Sequence, residues 1–456
     1  MTSGVRVVAA RQVDRERIEE LIADKPLPVE HVDSPSILVD GRFHTAACAW
    51  LRRKHALRPV EATIRSHAYR LAKYIAFLRS ERGLDHPDEW SADVFAATAD
   101  DLRALYRDRQ FTQATRVSSA SWRAQLSTIK QFHEFLKEVY QVPLPFQLTA
   151  FTTPDGFSGT SVSELRPRTR TGSRGTPVTP GYAELLIQGA YRVDRDGRQH
   201  DGLVVDRDAA FISLGLATGM RLGTLSYVTT HEIPARSHAP FTTIRVPDFI
   251  TKGDAGGDAL VFSHHLDAVH GYINGARQQQ LDESRKKYRP HDPIWIVEAD
   301  SDSWSTEVRG RRQTCRWVET DASVRRRLLE QDGSTPVVWL NAYKSSPITY
   351  DQAGSIVSGA RDWTRNHVHE DFPARFRTHD LRHTYATHLT VCIFKQSVAP
   401  HLHPDVADAY TPVRVADAVE IAKLSLGHAS ESSTRLYVQH AHRFLDIDII
   451  EFLGER

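Results

Sequence analysis

The chain has 456 residues, 40% hydrophobic and 25% charged, a composition typical of a globular protein with room for two or three domains. Its formal net charge of +1 argues against a uniformly basic coat, although a local basic face could still bind nucleic acid. Three scattered cysteines indicate neither a disulfide framework nor a cysteine metal site, and no apolar run is long enough to span a membrane, so we expect a cytoplasmic protein.

Helical periodicity dominates the chain after an N-terminal segment of unknown role, residues 1–45, that carries no readable motif. Apolar residues recur at spacings of three and four over Thr63–Arg79 and over Ser121–Val139, and a shorter helix is indicated near Ala99–Arg107. These patterns predict that residues 46–150 form a small helical bundle.

The composition changes over residues 151–178, which are rich in Thr, Ser, Gly and Pro and have almost no apolar periodicity. This change predicts a flexible linker between two domains. Four of its arginines fall within nine residues, namely Arg166, Arg168, Arg170 and Arg174. A basic strap of this kind could become ordered on the phosphates of DNA, although an ordinary solvated linker explains the same composition equally well.

A larger domain is predicted over residues 179–456, where Thr179 followed by proline indicates the start of a helix. Residues 208–228 form an apolar helix pair broken at Gly219, and residues 241–263 alternate around glycine-rich turns as in a small antiparallel sheet. The predicted fold class is therefore mainly α (α+β), a helical bundle followed by a mostly helical domain with a small antiparallel sheet.

Four short motifs follow one another in this larger domain. In chain order they are Ala217-Thr218-Gly219-Met220-Arg221, the run from Thr378 to Thr387 that contains His379 and Arg382, Leu426-Gly427-His428, and Thr434-Arg435-Leu436-Tyr437. The tyrosine of the last motif lies nine residues beyond the histidine of the third. Agreement of several motifs in order and spacing is more specific than any of them alone.

These motifs resemble the signature boxes of the tyrosine recombinase family, to which phage integrases and chromosome-dimer resolvases belong. The resemblance covers roughly residues 179–440 and is much weaker over the bundle. It implies that residues 46–150 are a core-binding domain that closes on double-stranded DNA opposite a catalytic domain at 179–456. It also implies an enzyme that uses neither metal nor ATP, has no cofactor, and acts as a homotetramer on two DNA sites.

The exchange of one phosphodiester for another explains the residue types in the motifs. Negative charge builds up on the non-bridging oxygens, and Arg221 and Arg382 are suited to hold these oxygens by bidentate hydrogen bonds. Tyr437 can act as the nucleophile and keep the bond energy in a phosphotyrosine. His379 and His428 are suited by type to move protons or to donate hydrogen bonds.

The resemblance implies one further acid, a lysine at the turn of a β-hairpin. Lys252 lies in a glycine-rich turn in the expected interval, and Lys344 is its main competitor. The chain departs from the family at Thr224, where relatives often carry a carboxylate. We therefore expect another carboxylate, with Glu232 as the candidate, to orient an active-site arginine.

Two other functions stay open. A metal-dependent hydrolase would use His379 and His383, which lie four apart on a helix face, with further candidate ligands in His264, His265, His270, His401 and His403. However, a His-Glu-x-x-His zinc helix would need a glutamate that is missing here, and Arg382 between the histidines would crowd a cation. The other alternative is a DNA-binding protein that keeps the fold without the activity.

Three stretches fall outside these motifs. Residues 264–335 and 392–415 exceed what a compact catalytic domain needs, and large apolar residues recur over Phe444–Leu453. The resemblance implies that this tail docks on a neighbouring protomer, whereas packing on its own domain is the other interpretation.

Overall fold

The computed structural model describes residues 4–8, 34–57, 61–82, 92–152, 158–167, 175–200, 204–247, 257–283, 288–342 and 344–398. The chain divides into two units, which comprise residues 1–172 and 173–456. Within the described ranges, no helix is both long and apolar enough to cross a membrane.

The first unit is built on helices. Those that the structure describes are α1 (Thr45–Leu57), α2 (Glu61–Glu81), α3 (Ala92–Phe95), α4 (Ala99–Phe111) and α5 (Ser119–Tyr140). Helix α4 starts at a capping box, in which Thr98 and Asp101 each bind the other's backbone N–H. The helices predicted over Thr63–Arg79, Ala99–Arg107 and Ser121–Val139 are confirmed, whereas α1 is an addition that the periodicity does not reveal.

The centre of this bundle is aromatic. Trp50, Trp122 and Phe132 are each no more than 1% exposed. Trp50 meets Phe132 edge to face, with the ring centroids 5.6 Å apart. Because burial of a large apolar side chain contributes roughly 1.5–3 kcal/mol, these side chains account for much of what holds the helices together.

Part of the N-terminal segment belongs to the same core. Strands β1 (Val5–Val8), β2 (Ser36–Val39) and β3 (Arg42–Phe43) form an antiparallel sheet. The tight turn between β2 and β3 is Asp40-Gly41, with φ of 50° and 84°. Ile37 and Val39 pack into the hydrophobic cluster of the helices, so these strands are a structural element of the first unit.

The predicted flexible linker, residues 151–178, is partly structured. Strands β4 (Thr149–Thr152) and β5 (Ser158–Ser161) form a hairpin. Beyond it, Val162 and Leu165 are 2% exposed, and the Trp122 indole donates to the Leu165 carbonyl over 2.7 Å. Within the predicted linker, Val162 and Leu165 therefore attach residues 162–165 to the core of the first unit.

The second unit is also mostly helical. Its described α-helices are α6 (Pro180–Ala190), α7 (Val205–Thr218), α8 (Leu222–Tyr227), α9 (Leu266–Asn274), α10 (Ala276–Glu283), α11 (Ala322–Arg325), α12 (Tyr350–Trp363) and α13 (Thr378–Val398). The Thr179 hydroxyl accepts the Tyr182 N–H over 3.3 Å, which confirms the predicted helix start. Every residue from Asp208 to Thr218 is buried, so α7 is the central helix.

A two-stranded antiparallel hairpin accompanies these helices. Strands β6 (Phe241–Val246) and β7 (Gly257–Phe262) pair over their whole length, from Phe241 opposite Phe262 to Val246 opposite Gly257. This hairpin confirms the small antiparallel sheet predicted over 241–263. The predicted fold class, mainly α (α+β), is likewise confirmed for the described part of the chain.

Residues 288–335 form a small β-structure of their own. Strands β9 (Glu298–Ala299), β10 (Ser303–Val308) and β11 (Arg311–Arg316) make an antiparallel sheet, and β8 (Ile294–Trp295) pairs in parallel with β12 (Leu328–Leu329). Their shared core consists of Ile296, Trp304, Trp317 and Leu328. The long stretch 264–335 therefore ends in an added β-module with its own core.

Candidate active site

The turn at Gly219 sets the direction of the first motif. Helix α7 ends there with a left-handed backbone, φ +60°. An added Cβ at this position would lie 2.3 Å from Cδ1 of Tyr385. Only glycine meets both conditions easily. Arg221 follows in an extended conformation as the N-cap of α8.

Arg382 on α13 binds this turn directly. Its Nη1 donates to the carbonyl oxygen of Gly219 over 2.9 Å, across 163 positions of the sequence. The Arg382 side chain is buried, with the residue only 4% exposed. A charged guanidinium at such a depth needs fixed partners, so this bond holds the first and second motifs in one place.

His379 lies three residues before Arg382 and therefore on the same side of α13. Although the residue keeps contact with solvent, burial among neighbouring groups lowers the pKa of its imidazole below the usual value. The positive charges of Arg382 and Arg221 lower this pKa further, and Asp380 opposes them. His379, Arg382 and Arg221, which were predicted from two separate motifs, therefore lie close enough for their charges to influence one another.

The beginning of α13 is fixed by Asp380, which the sequence reasoning did not single out. Its carboxylate accepts the backbone N–H of Arg377 over 2.7 Å and that of Thr176 over 3.0 Å. Burial raises the pKa of this carboxyl group, and the two hydrogen bonds oppose that rise. An acidic residue in the first turn of a helix was the available signal.

Residues 175–178 run along α13. The Val178 N–H donates to the Thr384 hydroxyl over 3.2 Å, and the Val178 carbonyl lies 3.0 Å from Nε2 of His388. A Cβ added to Gly175 would lie 2.0 Å from the ring of His383. The end of the predicted linker is thus packed on the helix that carries Arg382.

Tyr385 is a second residue that the sequence reasoning missed. Its hydroxyl donates to the Leu260 carbonyl of β7 over 2.7 Å, and its ring packs against Phe262 with centroids 5.6 Å apart. The same ring closes on Gly219. Tyr385 therefore joins the β6–β7 hairpin to the turn that leads to Arg221.

The structure describes one of the two candidate lysines, Lys344. Lys252 falls in the connection between β6 and β7, outside the described residues, although the hairpin that flanks it is present. Lys344 is exposed in a loop closed by the hydrogen bond from the Asn341 N–H to the Ser346 carbonyl, 2.7 Å.

Glu232 binds an arginine other than those of the motifs. Its two carboxylate oxygens accept hydrogen bonds from Arg325 over 2.5 and 2.9 Å. One of them also accepts from the N–H and the hydroxyl of Thr229. The expectation that Glu232 orients an active-site arginine is wrong, because Arg325, 93 positions away, takes up this carboxylate.

The structure describes some of the histidines that a metal-dependent hydrolase would use. His383 is buried and packs edge to face on His379, with centroids 4.7 Å apart. His264 and His265 lie 3.9 Å apart, ring to ring. Within the described residues, no three His, Cys, Asp or Glu side chains are grouped so that they could hold a metal ion. His401 and His403 lie outside those residues.

Several predicted residues cannot be placed. His428, Tyr437, the tail Phe444–Leu453 and three linker arginines, Arg168, Arg170 and Arg174, lie outside the described residues. Arg166 is described and exposed, and its guanidinium lies over the Phe151 ring, 5.6 Å from the centroid.

No family model matches the chain, and no curated protein matches it. The chain is similar to the solved structure of the XerH site-specific recombinase on a palindromic difH substrate in a post-cleavage complex, with a TM-score of 0.48, 12% identity, and coverage of 88% of this chain and 83% of that chain.

Two further solved structures are similar. The Tn1549 transposon integrase in complex with a circular intermediate DNA has a TM-score of 0.45 and 12% identity, with coverage of 86% of this chain and 94% of that chain. The XerA recombinase has a TM-score of 0.32 and 14% identity, with coverage of 88% and 95%.

Proposed function

We propose that the chain is a tyrosine site-specific recombinase that breaks and rejoins double-stranded DNA through a 3′-phosphotyrosyl bond to Tyr437. The observation that carries the proposal is the hydrogen bond from Arg382 to the Gly219 carbonyl, with Arg221 two residues further on. It brings two arginines from separate motifs into range of the same histidine, His379. Two guanidinium groups and an imidazole suit a pentacovalent phosphate.

The proposed reaction proceeds by two exchanges of one bond each. The Tyr437 oxygen attacks phosphorus, the bond to the 5′ oxygen breaks, and an acid protonates the departing oxygen; Lys252 is the candidate for this acid. Arg221 and Arg382 bind the non-bridging oxygens as charge develops, and His379 and His428 donate hydrogen bonds or move protons.

In the second exchange a 5′-hydroxyl of another strand attacks the phosphotyrosine and releases the tyrosine. Each step replaces one phosphodiester by another, so the reaction calls for neither ATP nor a metal ion. Exchange between two duplexes requires four active sites, for which we propose a homotetramer. The arginines of residues 166–174 would add contacts to the DNA backbone.

The test is covalent capture on nicked duplexes taken from the DNA that flanks the gene. The wild-type chain should form a protein–DNA adduct that survives denaturation, and Tyr437→Phe should form none while it still binds DNA. Tyr350→Phe is the matched control, because Tyr350 is 52% exposed on α12 and should leave the adduct unchanged. An adduct of normal yield in Tyr437→Phe would overturn the proposal, and a chain that binds without any adduct would be a binding protein only.

A further inference from the structure

We propose that the hairpin of β10 and β11 is a DNA-binding ribbon whose tip, Arg309 and Arg311, contacts the phosphate backbone of duplex DNA. The inference rests on the proposed function to the extent that DNA is the substrate. It adds a contact surface, in the added β-module, that none of the four motifs contains.

The outer part of this hairpin projects into solvent. Its strands pair from Ser303 opposite Arg316 to Val308 opposite Arg311. Strand β10 is buried from Trp304 to Thr306, yet all residues from 307 to 314 are exposed. A strand that lies on a core buries every second residue, so exposure of consecutive residues means that neither face of the tip packs on any part of the chain that the structure describes.

The base of the hairpin is firmly held. The Trp304 indole donates to the Thr320 hydroxyl and the Trp317 indole to the Asp300 carbonyl, each over 2.8 Å. The Arg325 guanidinium lies over the Trp317 ring, 5.5 Å from its centroid. A projecting ribbon with a buried aromatic base can present its tip in a fixed direction, because the packed side chains restrict movement of the base.

Arg325 also connects this base to the candidate active site. It pairs with Glu232 and donates to the carbonyl of Tyr227 over 3.1 Å. Tyr227 is the last residue of α8, the short helix that begins immediately after Arg221. DNA bound at the arginine pair would therefore lie near the module that carries the ribbon.

Charge is concentrated at the tip. The hairpin carries four arginines and one carboxylate, that of Glu307. Two of the arginines lie in ion pairs, Arg312 with Glu298 and Arg316 with Glu319. The other two are Arg309 and Arg311, and neither forms an ion pair with any residue that the structure describes.

The turn itself points to a use for that charge. Arg309 and Gly310 have φ of 51° and 72°, and turns with two left-handed residues favour Asn-Gly or Asp-Gly. The β2–β3 turn of this same chain follows that preference with Asp40-Gly41. Arginine is conformationally unfavourable at position 309, and residues strained in this way cluster at functional sites.

Duplex DNA fits the chemistry of this tip. Guanidinium groups bind phosphate oxygens in bidentate fashion, and a two-stranded ribbon fits the major groove, which is about 12 Å wide. Val308, 48% exposed beside the arginines, can make apolar contact with a deoxyribose or a thymine methyl group.

The experiment measures binding of the full chain to a fluorescent random-sequence duplex of about 40 base pairs over a range of salt concentrations. Arg309→Asn introduces a residue that this turn type favours, so it should raise the thermal stability of the chain while it lowers the affinity for DNA. Arg309→Asn combined with Arg311→Gln should weaken binding by about tenfold and reduce the slope of log affinity against log salt by about two units.

Arg312→Gln combined with Arg316→Gln is the matched control, since it also removes two charges from the hairpin, both from arginines that lie in ion pairs. Unchanged affinity and slope in the double variant, or an equal loss in the control, would overturn the inference. A loss of binding to polyglutamate with no loss on DNA would assign the tip to an acidic partner and also overturn it.

The outcome is separable from that of the proposed function. If the wild type forms the covalent adduct and the double variant binds duplex DNA normally, the proposed DNA contact of the hairpin tip is wrong and the proposed recombinase activity is supported. If no adduct forms but the double variant loses affinity for DNA, the proposed recombinase activity is wrong and the DNA contact of the hairpin tip is supported.

Discussion

Replacement of Gly219 by alanine tests whether this turn holds the candidate site together. At φ +60° an alanine costs roughly 1–2 kcal/mol relative to glycine. The new Cβ would also lie 2.3 Å from the Tyr385 ring, which is fully buried and held by its bond to Leu260. Such overpacking costs roughly 1–3 kcal/mol. We expect Gly219→Ala to lower the free energy of unfolding of the second unit by roughly 2–5 kcal/mol.

Denaturant unfolding followed by circular dichroism and tryptophan fluorescence measures this change, with Gly271→Ala as the control. Gly271 is exposed on α9, and an added Cβ there would meet nothing within 4 Å. Because alanine favours a helix over glycine by up to about 1 kcal/mol, the control should be unchanged or more stable. If Gly219→Ala unfolds at the same denaturant concentration as the wild type, the turn is not constrained as described and the reasoning is refuted.

Three further predictions concern the second unit. Arg221→Ala and Arg382→Ala should each slow adduct formation by a factor of roughly 10²–10³ while duplex binding persists; cleavage at the wild-type rate would place the phosphate clamp elsewhere. Glu232→Gln should lower the free energy of unfolding by roughly 3–5 kcal/mol, because it leaves the buried Arg325 guanidinium without its counter-charge; a calorimetric scan that matches the wild type would contradict this. Burial lowers the pKa of His264 from 6.5 to about 4, so its contribution to stability is present above pH 6.5 and is lost as the pH falls toward 4. Melting temperatures should therefore fall less for His264→Phe than for the wild type between about pH 7 and pH 5, and equal falls would count against the prediction.

The sequence was most informative where structure is local. The helix start at Thr179 and the break at Gly219 follow from the preferences of single residues and are confirmed. The β6–β7 hairpin follows from alternation and glycine-rich turns and is confirmed as well. In each case the cause and the consequence lie within a few positions of each other, so a pattern in one sequence is sufficient.

Long-range partners were beyond the reach of the sequence. Glu232 was a reasonable candidate to orient an active-site arginine, but nothing local indicates that it binds Arg325 instead. Residues 158–167 looked like linker because only Val162 and Leu165 are apolar, and burial of these two in the bundle is a tertiary effect.

The added β-module was not predicted from the sequence, for a different reason. Residues 307–314 are exposed on both faces, so strands β10 and β11 lack the alternation of apolar and polar residues by which a half-buried strand is recognised. In the sequence, this region shows only a cluster of arginines interrupted by acidic residues. The positive φ of Arg309, one of the observations behind the proposed DNA contact, is visible only in the structure.

The most direct measurement of the central claim is the identity of the residue that becomes attached to DNA. The chain is incubated with nicked duplexes from the DNA that flanks its gene, both polymers are digested, and the peptide that carries a nucleotide is sequenced by mass spectrometry. We predict attachment to Tyr437 through a 3′-phosphate. Attachment to any other residue, or strand cleavage that leaves no covalent bond between protein and DNA, would contradict the proposed mechanism.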